Sequence, residues 1–283
     1  MFKIFDLHND YPTSNQGDGG INNFDCQHPR PLDIVVNAFW TTKTSDPIDY
    51  IKDYIKQEPP TKNRLYAIED LWFVKAQEDL DAVCAMPIVY AGLTWNNDNC
   101  LAGGALENGR LTEWGRHVVK MLVANNIIID TAHLNRKSFY DLIEVLNQQL
   151  IIPQSSLFII NSHTCLNSLY SHPRNLTNHQ IKTLINSGGI IGLTPVGQFI
   201  SQKENAVSIQ DFAEQIDYFC QKYGDKNLAI GSDFFGAPPL KGLSCYSDFN
   251  SLYQLLQKKG YSSKTIDKIF YKNAYDFCLQ KIK

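Results

Sequence analysis

Short apolar runs, each closed by a polar or charged residue, alternate along this chain with stretches whose apolar positions recur every three or four residues. The runs read as strands and the stretches as amphipathic helices. The first strand is expected in the apolar segment from Phe2 to Leu7, leading straight into Asp6-Leu7-His8-Asn9-Asp10 and a Gly- and Asn-rich loop. Seven more are expected at residues 33–40, 64–69, 86–94, 127–132, 157–161, 190–194 and 228–232. Helices are expected at 47–57 (Ile48, Ile51, Ile55), 71–80, 111–125 (Leu111, Val118, Met121, Leu122) and 139–149 (Phe139, Leu142, Ile143, Leu146). Thr177 and Gln180 form a capping-box pattern that opens a further helix, and Gly188-Gly189 stops it. Ser208 and Asp211 start another, to about Tyr223, and helices at 249–258 and 263–280 close the chain.

Eight strands that mostly alternate with helices predict a parallel sheet with crossover helices. That number in 283 residues is the count of a (β/α)8 barrel; a doubly wound open sheet is the alternative. The barrel is preferred because chemically capable side chains stand at the C-terminal ends of five strands, which a barrel gathers on one rim.

Composition narrows the picture. With 283 residues, 43% of them hydrophobic, the chain is long enough for one large core, and one domain over residues 1–283 is expected. Net charge is -3, without basic or acidic runs, which argues against nucleic-acid or membrane-surface partners. No window approaches the roughly 18 apolar residues of a membrane span. Cleavage of a leader would remove the segment at Asp6–Asp10, so a cytoplasmic protein is expected. The seven cysteines are scattered, odd in number and form no CxxC, consistent with reduced thiols, although a single disulfide is compatible with them. Residues 16–31 read as a long loop rather than a domain boundary.

Six side chains then stand out at strand ends: His8 and Asp10, Glu69, His133, His163 and Asp233. In an extended backbone residues i and i+2 point the same way, so His8 and Asp10 leave the first strand side by side. Three imidazoles and three carboxylates suit two divalent ions better than one, with Glu69 spanning both. One ion would see His8, Asp10, Asp233 and Glu69, the other His133, His163 and Glu69. Two ions about 3.5–4 Å apart share and acidify a water and polarise a carbonyl. Without a thiolate in the set, zinc is the first choice, with manganese or cobalt as substitutes. Taken singly, a histidine at a strand end is more often a hydrogen-bonded loop residue than a ligand. His28, His117, His172 and His179 keep that reading.

The same residues carry a resemblance. Asp6-Leu-His-Asn-Asp-Tyr-Pro12, Ile68-Glu69, Leu93-Thr-Trp-Asn-Asn-Asp-Asn-Cys-Leu-Ala102, Asp130-Thr-Ala-His133, Asn161-Ser-His-Thr164, His172-Pro-Arg-Asn-Leu-Thr177 and Gly231-Ser-Asp-Phe-Phe-Gly236 run nearly end to end. In that order they resemble the membrane (renal) dipeptidase family of zinc peptidases, in its soluble bacterial form. The resemblance implies a (β/α)8 TIM-type, metallo-dependent hydrolase-like barrel with a binuclear zinc site. It puts metal ligands on His8, Asp10, Glu69, His133 and His163, and makes Asp233 the catalytic acid/base beside them. It has Arg174 hold the substrate's free carboxylate, a task a planar guanidinium performs with two prongs. It also suggests a homodimer and dipeptide substrates, some with a D-residue at the C-terminal position. Four features depart from the family pattern. Trp95 replaces a carbonyl-polarising histidine and is expected to mark a subfamily or to shape a stacking surface for substrate. Asp70-Leu71 replaces Gly-Gly, Phe235 replaces an aspartate, and the stretch from Asp10 to Glu69 is short.

The expected reaction is hydrolysis of a dipeptide by a metal-bridging hydroxide, with Asp233 passing the proton to the leaving amine. Two other readings stay open on the residues alone. One is a metallo-hydrolase of another amide or ester, such as an N-acyl amino acid, cyclic amide or lactone. The other is a barrel that binds metal or peptide without cleaving it.

Overall fold

All eight expected strands form, each close to its predicted place: β1 (Phe5–Asn9), β2 (Ile34–Phe39), β3 (Arg64–Ile68), β4 (Tyr90–Gly92), β5 (Ile128–Asp130), β6 (Ile159–Thr164), β7 (Ile190–Leu193) and β8 (Leu228–Ile230). Each pairs in parallel with the next, and β8 returns to β1, closing a barrel in chain order. The computed structural model describes residues 2–14, 33–42, 44–149, 159–202 and 207–281. The long loop expected at 16–31, with Cys26 and His28, lies outside the described residues, as do residues 157 and 158 of the expected sixth strand.

The helices are α1 (Pro47–Gln57), α2 (Gln77–Cys84), α3 (Glu113–Ala124), α4 (Arg136–Gln149), α5 (Asn178–Asn186), α6 (Gly197–Ile200), α7 (Ile209–Tyr223), α8 (Phe249–Lys258), α9 (Ser263–Asp267) and α10 (Asn273–Lys281). Their starts are set by side chains. Asp46 accepts from the Asp49 amide before Pro47, Thr112 accepts from Gly115, and Thr177 and Gln180 cap each other as the sequence predicts. No described helix is long and apolar enough to cross a membrane.

Strand alternation sorts the core into two layers. Leu7, Val36, Ala38, Ala67, Tyr90, Ile128, Ile160, Ile190 and Ala229 fill the barrel. Val35, Phe39, Ile68, Ile129, Ile191 and Ile230 face outward onto helix residues such as Leu80, Val118, Phe139, Leu184, Phe212 and Leu252. Full burial of such a side chain is worth about 1.5–3 kcal/mol.

Twice the alternation slips. Asp6 pairs with Val35 but Asn9 with Asn37, three steps on β1 against two on β2. Asn161 pairs with Ile191 but Thr164 with Leu193, three steps on β6 against two on β7. Each is a β-bulge, and a bulge re-aims the side chains that follow it. Asp6 and Asn9 both turn outward to the Tyr246 hydroxyl, 2.7 and 3.0 Å away. His8 instead points into the barrel, where its Nδ1 meets the Tyr90 hydroxyl of β4 at 2.8 Å.

Three expected elements come out differently, and the short α6 was not expected. The helix expected at 71–80 starts only at Gln77, because the Asp79 carboxylate takes the Lys75 and Ala76 amides and Asp70 takes that of Trp72. These bonds hold residues 71–76 in turns, where their polar groups compete with a helix. The strand expected at 86–94 shrinks to Tyr90–Gly92: Pro87 has no amide to donate, the Ile88 amide turns back to the Met86 carbonyl, and at the other end the Asn99 side chain takes the Leu93 carbonyl. The helix expected at 263–280 is interrupted by one π-helical turn at Lys268–Lys272. There Asn273 bonds the Asp225 and Leu228 carbonyls at 2.6 and 2.8 Å, tying the wide turn to the start of β8.

Candidate active site

The barrel brings together all six strand-end side chains singled out in the sequence. His8 and Asp10 come from β1 and the residue after it, Glu69 follows β3, His133 follows β5, His163 sits within β6, and Asp233 follows β8. All six are buried. Glu69 Oε1 stands 2.8 Å from His133 Nε2, 3.8 Å from His163 Nε2 and 3.9 Å from His8 Nε2, so one carboxylate reaches all three imidazoles. His8 Nε2 lies 3.4 Å from Asp10 Oδ2 and 3.9 Å from Asp233 Oδ1. Donor atoms of His8, Asp10 and Asp233 lie within 4.8 Å of one another, as do those of Glu69, His133 and His163.

The far nitrogen of each imidazole is occupied, and its partner fixes the tautomer. The Tyr90 hydroxyl donates to the Leu7 carbonyl at 2.9 Å, so its oxygen accepts from Nδ1 of His8. The Ser162 hydroxyl donates to Asp130 at 2.5 Å and therefore accepts from Nδ1 of His163 at 2.8 Å. Asn96 Oδ1 accepts from Nδ1 of His133 at 2.9 Å. All three rings thus turn Nε2 toward the cluster. Tyr90, Asn96, Asp130 and Ser162 were missed in the sequence. Their one signal is adjacency: Asp130 is three residues before His133, and Ser162 directly precedes His163. Asp130, grouped with His8 and His163 by proximity, already accepts from the Ala132 and Ser162 amides and from the Ser162 hydroxyl.

The electrostatics call for positive charge. Burial, and then the Asp10 carboxylate, raise both Glu69 and Asp233 above the ordinary carboxylate range. Burial opposes charge on His8, but Asp10, then Glu69 and Asp233, outweigh it and lift that imidazole to about 10. His133 and His163 are held well below the usual range, by burial first, and then by the charges of Arg174 and His8. Nε2 of His8 and both oxygens of Asp10 are buried without a hydrogen-bond partner among the described residues. Neutral imidazoles, clustered carboxylates and orphaned donor atoms fit divalent cations, which bind such nitrogen and oxygen sets.

The cluster floors a cavity of about 550 Å³ whose walls include Trp95, Arg174, His172 and Phe235. Arg174 is buried; one guanidinium nitrogen donates to His163 Nε2 at 2.6 Å, and its Nε has no partner among the described residues. The guanidinium lies over the Phe199 ring, 5.3 Å from its centroid. Trp95 stands 6.0 Å from the His133 ring and 5.5 Å from that of Trp40. His172, set aside in the sequence, lines the cavity and accepts from the Arg174 amide at 3.2 Å. His117 and His179 lie elsewhere, bonded to Gln77 and Tyr140.

The backbone here is strained. Among the described non-glycine residues φ is positive at Asn126, His133, Asp233 and Phe235, so three of the four line this cavity. Gly236 packs so closely that a Cβ would stand 2.1 Å from Asp10 Oδ2 and 2.6 Å from Asp233 Oδ1.

Residues 67–277 match the family described as membrane dipeptidase, peptidase family M19. The match begins after His8 and Asp10, whose place in the cluster stands on geometry alone. An uncharacterized protein in the pqqA 5'region of Klebsiella pneumoniae is 27% identical over 208 residues, covering 69% of this chain and 73% of that protein. The dipeptidase tcpJ of Claviceps purpurea is 23% identical over 178 residues, covering 62% of this chain and 40% of the fungal protein. Among solved structures, a metallo peptidase from Rhodobacter sphaeroides liganded with a phosphinate mimic of the dipeptide L-Ala-D-Ala aligns over 99% of both chains, at a TM-score of 0.79 and 16% identity. At that identity the likeness shows a shared fold.

Proposed function

The chain belongs to the membrane dipeptidase family, peptidase family M19, and from that membership we propose that it is a metal-dependent dipeptidase, hydrolysing L,L- and L,D-dipeptides within one catalytic domain over residues 1–283. The observation that carries the reading is the buried convergence of three imidazole Nε2 atoms and three carboxylates at the floor of one cavity, beside an arginine.

His8, Asp10 and Asp233 would hold one divalent ion, His133 and His163 a second, with Glu69 between them. Zinc is the first choice, with manganese or cobalt as substitutes. When bound, such a pair acidifies water and polarises the scissile carbonyl. The chain's own groups do the rest. Arg174 offers a buried guanidinium, with a spare Nε donor, to the substrate's carboxylate, which selects very short peptides. Asp233, at the cavity wall, takes the proton from the attacking water and delivers it to the leaving amine. Trp95 and Phe235, where the family pattern has polar residues, give the cavity an aromatic wall that excludes water. The six described cysteines are free thiols, which supports a reducing, cytoplasmic setting; the assembly expected from the family is a homodimer.

The test is hydrolysis by zinc-reconstituted protein of L,L-dipeptides, L,D-dipeptides, a tripeptide and an N-acyl amino acid, with a chelated control. Chelator-sensitive cleavage of dipeptides but not of the tripeptide is expected, and Arg174→Ala should raise KM far more than it lowers kcat. Cleavage of the N-acyl amino acid alone would replace the dipeptidase reading by an acylase-like one. Unchanged metal content and turnover in folded Glu69→Gln would sink the site.

A further inference from the structure

We propose that Trp40, Trp95 and Leu106 form the subsite for the side chain of the dipeptide's amino-terminal residue, and that this subsite selects large apolar side chains, aromatic ones above all. The inference rests on the dipeptidase reading and on Arg174 as the carboxylate clamp.

The barrel fixes the direction of the substrate. Arg174 follows β6, and Phe199, in α6 after β7, lies under its guanidinium. Trp40 directly follows β2, and in a closed ring of eight strands β2 stands four places from β6, across the mouth. Trp95 follows β4, midway round the ring between β2 and β6, and its ring reaches that of Trp40, 5.5 Å away between centroids. A dipeptide with its carboxylate on Arg174 and its carbonyl over the buried cluster therefore extends its amino-terminal residue toward the tryptophans.

The chemistry of that wall is apolar. Trp40 and Trp95 are half-buried, and both line the cavity. Leu106 also lines it yet is 59% exposed, which makes it the one large, exposed hydrophobic residue among those described that reaches the cavity; Tyr140 and Leu169 lie elsewhere. Its amide bonds the Asn96 carbonyl at 2.9 Å, holding the leucine beside Trp95 at the rim. Two indole faces and an isobutyl group grip an aromatic side chain by offset and edge contacts. They give a charged side chain no partner and leave a small one poorly covered. Trp40 lies before the segment that matches the family, residues 67–277, so its part in the subsite is argued from the geometry of this chain.

The experiment compares kcat/KM for X-Ala dipeptides with X as Gly, Ala, Leu and Phe against the reversed Ala-X set. The parent protein, Trp40→Ala and Leu106→Ser are all assayed. The readout is the Phe-Ala to Gly-Ala ratio within each protein, which does not depend on how much of a variant is active. Trp95 is left intact because its ring leans on His133. We expect a ratio of about tenfold or more in the parent, the scale on which apolar pockets discriminate, and a fall of about threefold or more in each variant. A parent ratio near one, a ratio unmoved in both variants, or a preference confined to the Ala-X set would overturn the subsite while leaving the dipeptidase reading in place. Failure to cleave any dipeptide would overturn both.

Discussion

An imidazole offers one lone pair at a time, and the group bound to its other nitrogen decides which. Tyr90, Ser162 and Asn96 make that decision for His8, His163 and His133. Asn96 is the most exposed to test, because its loop lies at the cavity wall. Asn96→Ala frees the His133 ring to rotate and change tautomer, and should weaken metal binding about 10–100-fold, as loss of such outer partners does. Competition with a chromophoric chelator reads this directly, and an unchanged affinity would show that Asn96 does not set the ring. The six cluster residues were legible in the sequence because each stands at a strand end with a side chain that binds metals. Tyr90 was not, because its hydroxyl acts across the barrel from inside an apolar run. His172 was not, because nothing in its spacing shows that its loop folds over the cavity beside Arg174.

At the scale of elements, the loop that follows Trp95 must be anchored to the helices outside the barrel. Arg110, at its far end, does this with two bonds to Asp141 on α4, at 3.0 and 2.5 Å. The hydrogen bonds and charge of Arg110 hold Asp141 below the ordinary aspartate value of 3.8. A carboxylate whose pKa is lowered by folding contributes stability above its unfolded value and loses it as pH falls through the folded one. Asp141→Asn should therefore lower the urea midpoint at pH 7, and the gap to the parent should close as pH is taken below 3.8. A gap that persisted in acid would mean that packing, not the ion pair, anchors the loop. Strand and helix order was legible for every element but the four-residue α6, which has no side-chain cap, because hydrophobic period and capping residues are local signals. The late start of α2 and the π-helical turn before α10 were not. Each depends on a side chain bonding backbone that lies outside the helix pattern, Asp70 and Asp79 in the first case and Asn273 in the second.

Over the whole molecule, three buried carboxylates at the barrel mouth repel one another, and folding gathers them. A cation bound only by the folded chain stabilises it by mass action, about 2.7 kcal/mol at a hundredfold excess over Kd. For a chain of this size that is a rise of several degrees in Tm. Zinc added to chelated protein should raise Tm by at least that much. If two zinc ions bind and Tm does not move, they bind outside the buried cluster. The closed ring also explains why residues more than 200 positions apart in sequence act together: β8 pairs with β1, and the Ser232 amide and hydroxyl bond Asp6 at 2.7 and 2.6 Å.

The bulges in β1 and β6 separate two alphabets written on the same strands. Below each one, residues keep step with their neighbours, and the lettering spells packing. Above it the phase has moved by one residue, and the lettering spells chemistry. A barrel without the slip would show Asp6 and His8 on the same face; with it, one ties the strand to the shell and the other opens into the mouth. The lower barrel can therefore drift in sequence, trading one aliphatic residue for another, without disturbing the rim. A single-residue deletion at either slip would do the reverse, leaving the core's spelling intact and erasing the word above it.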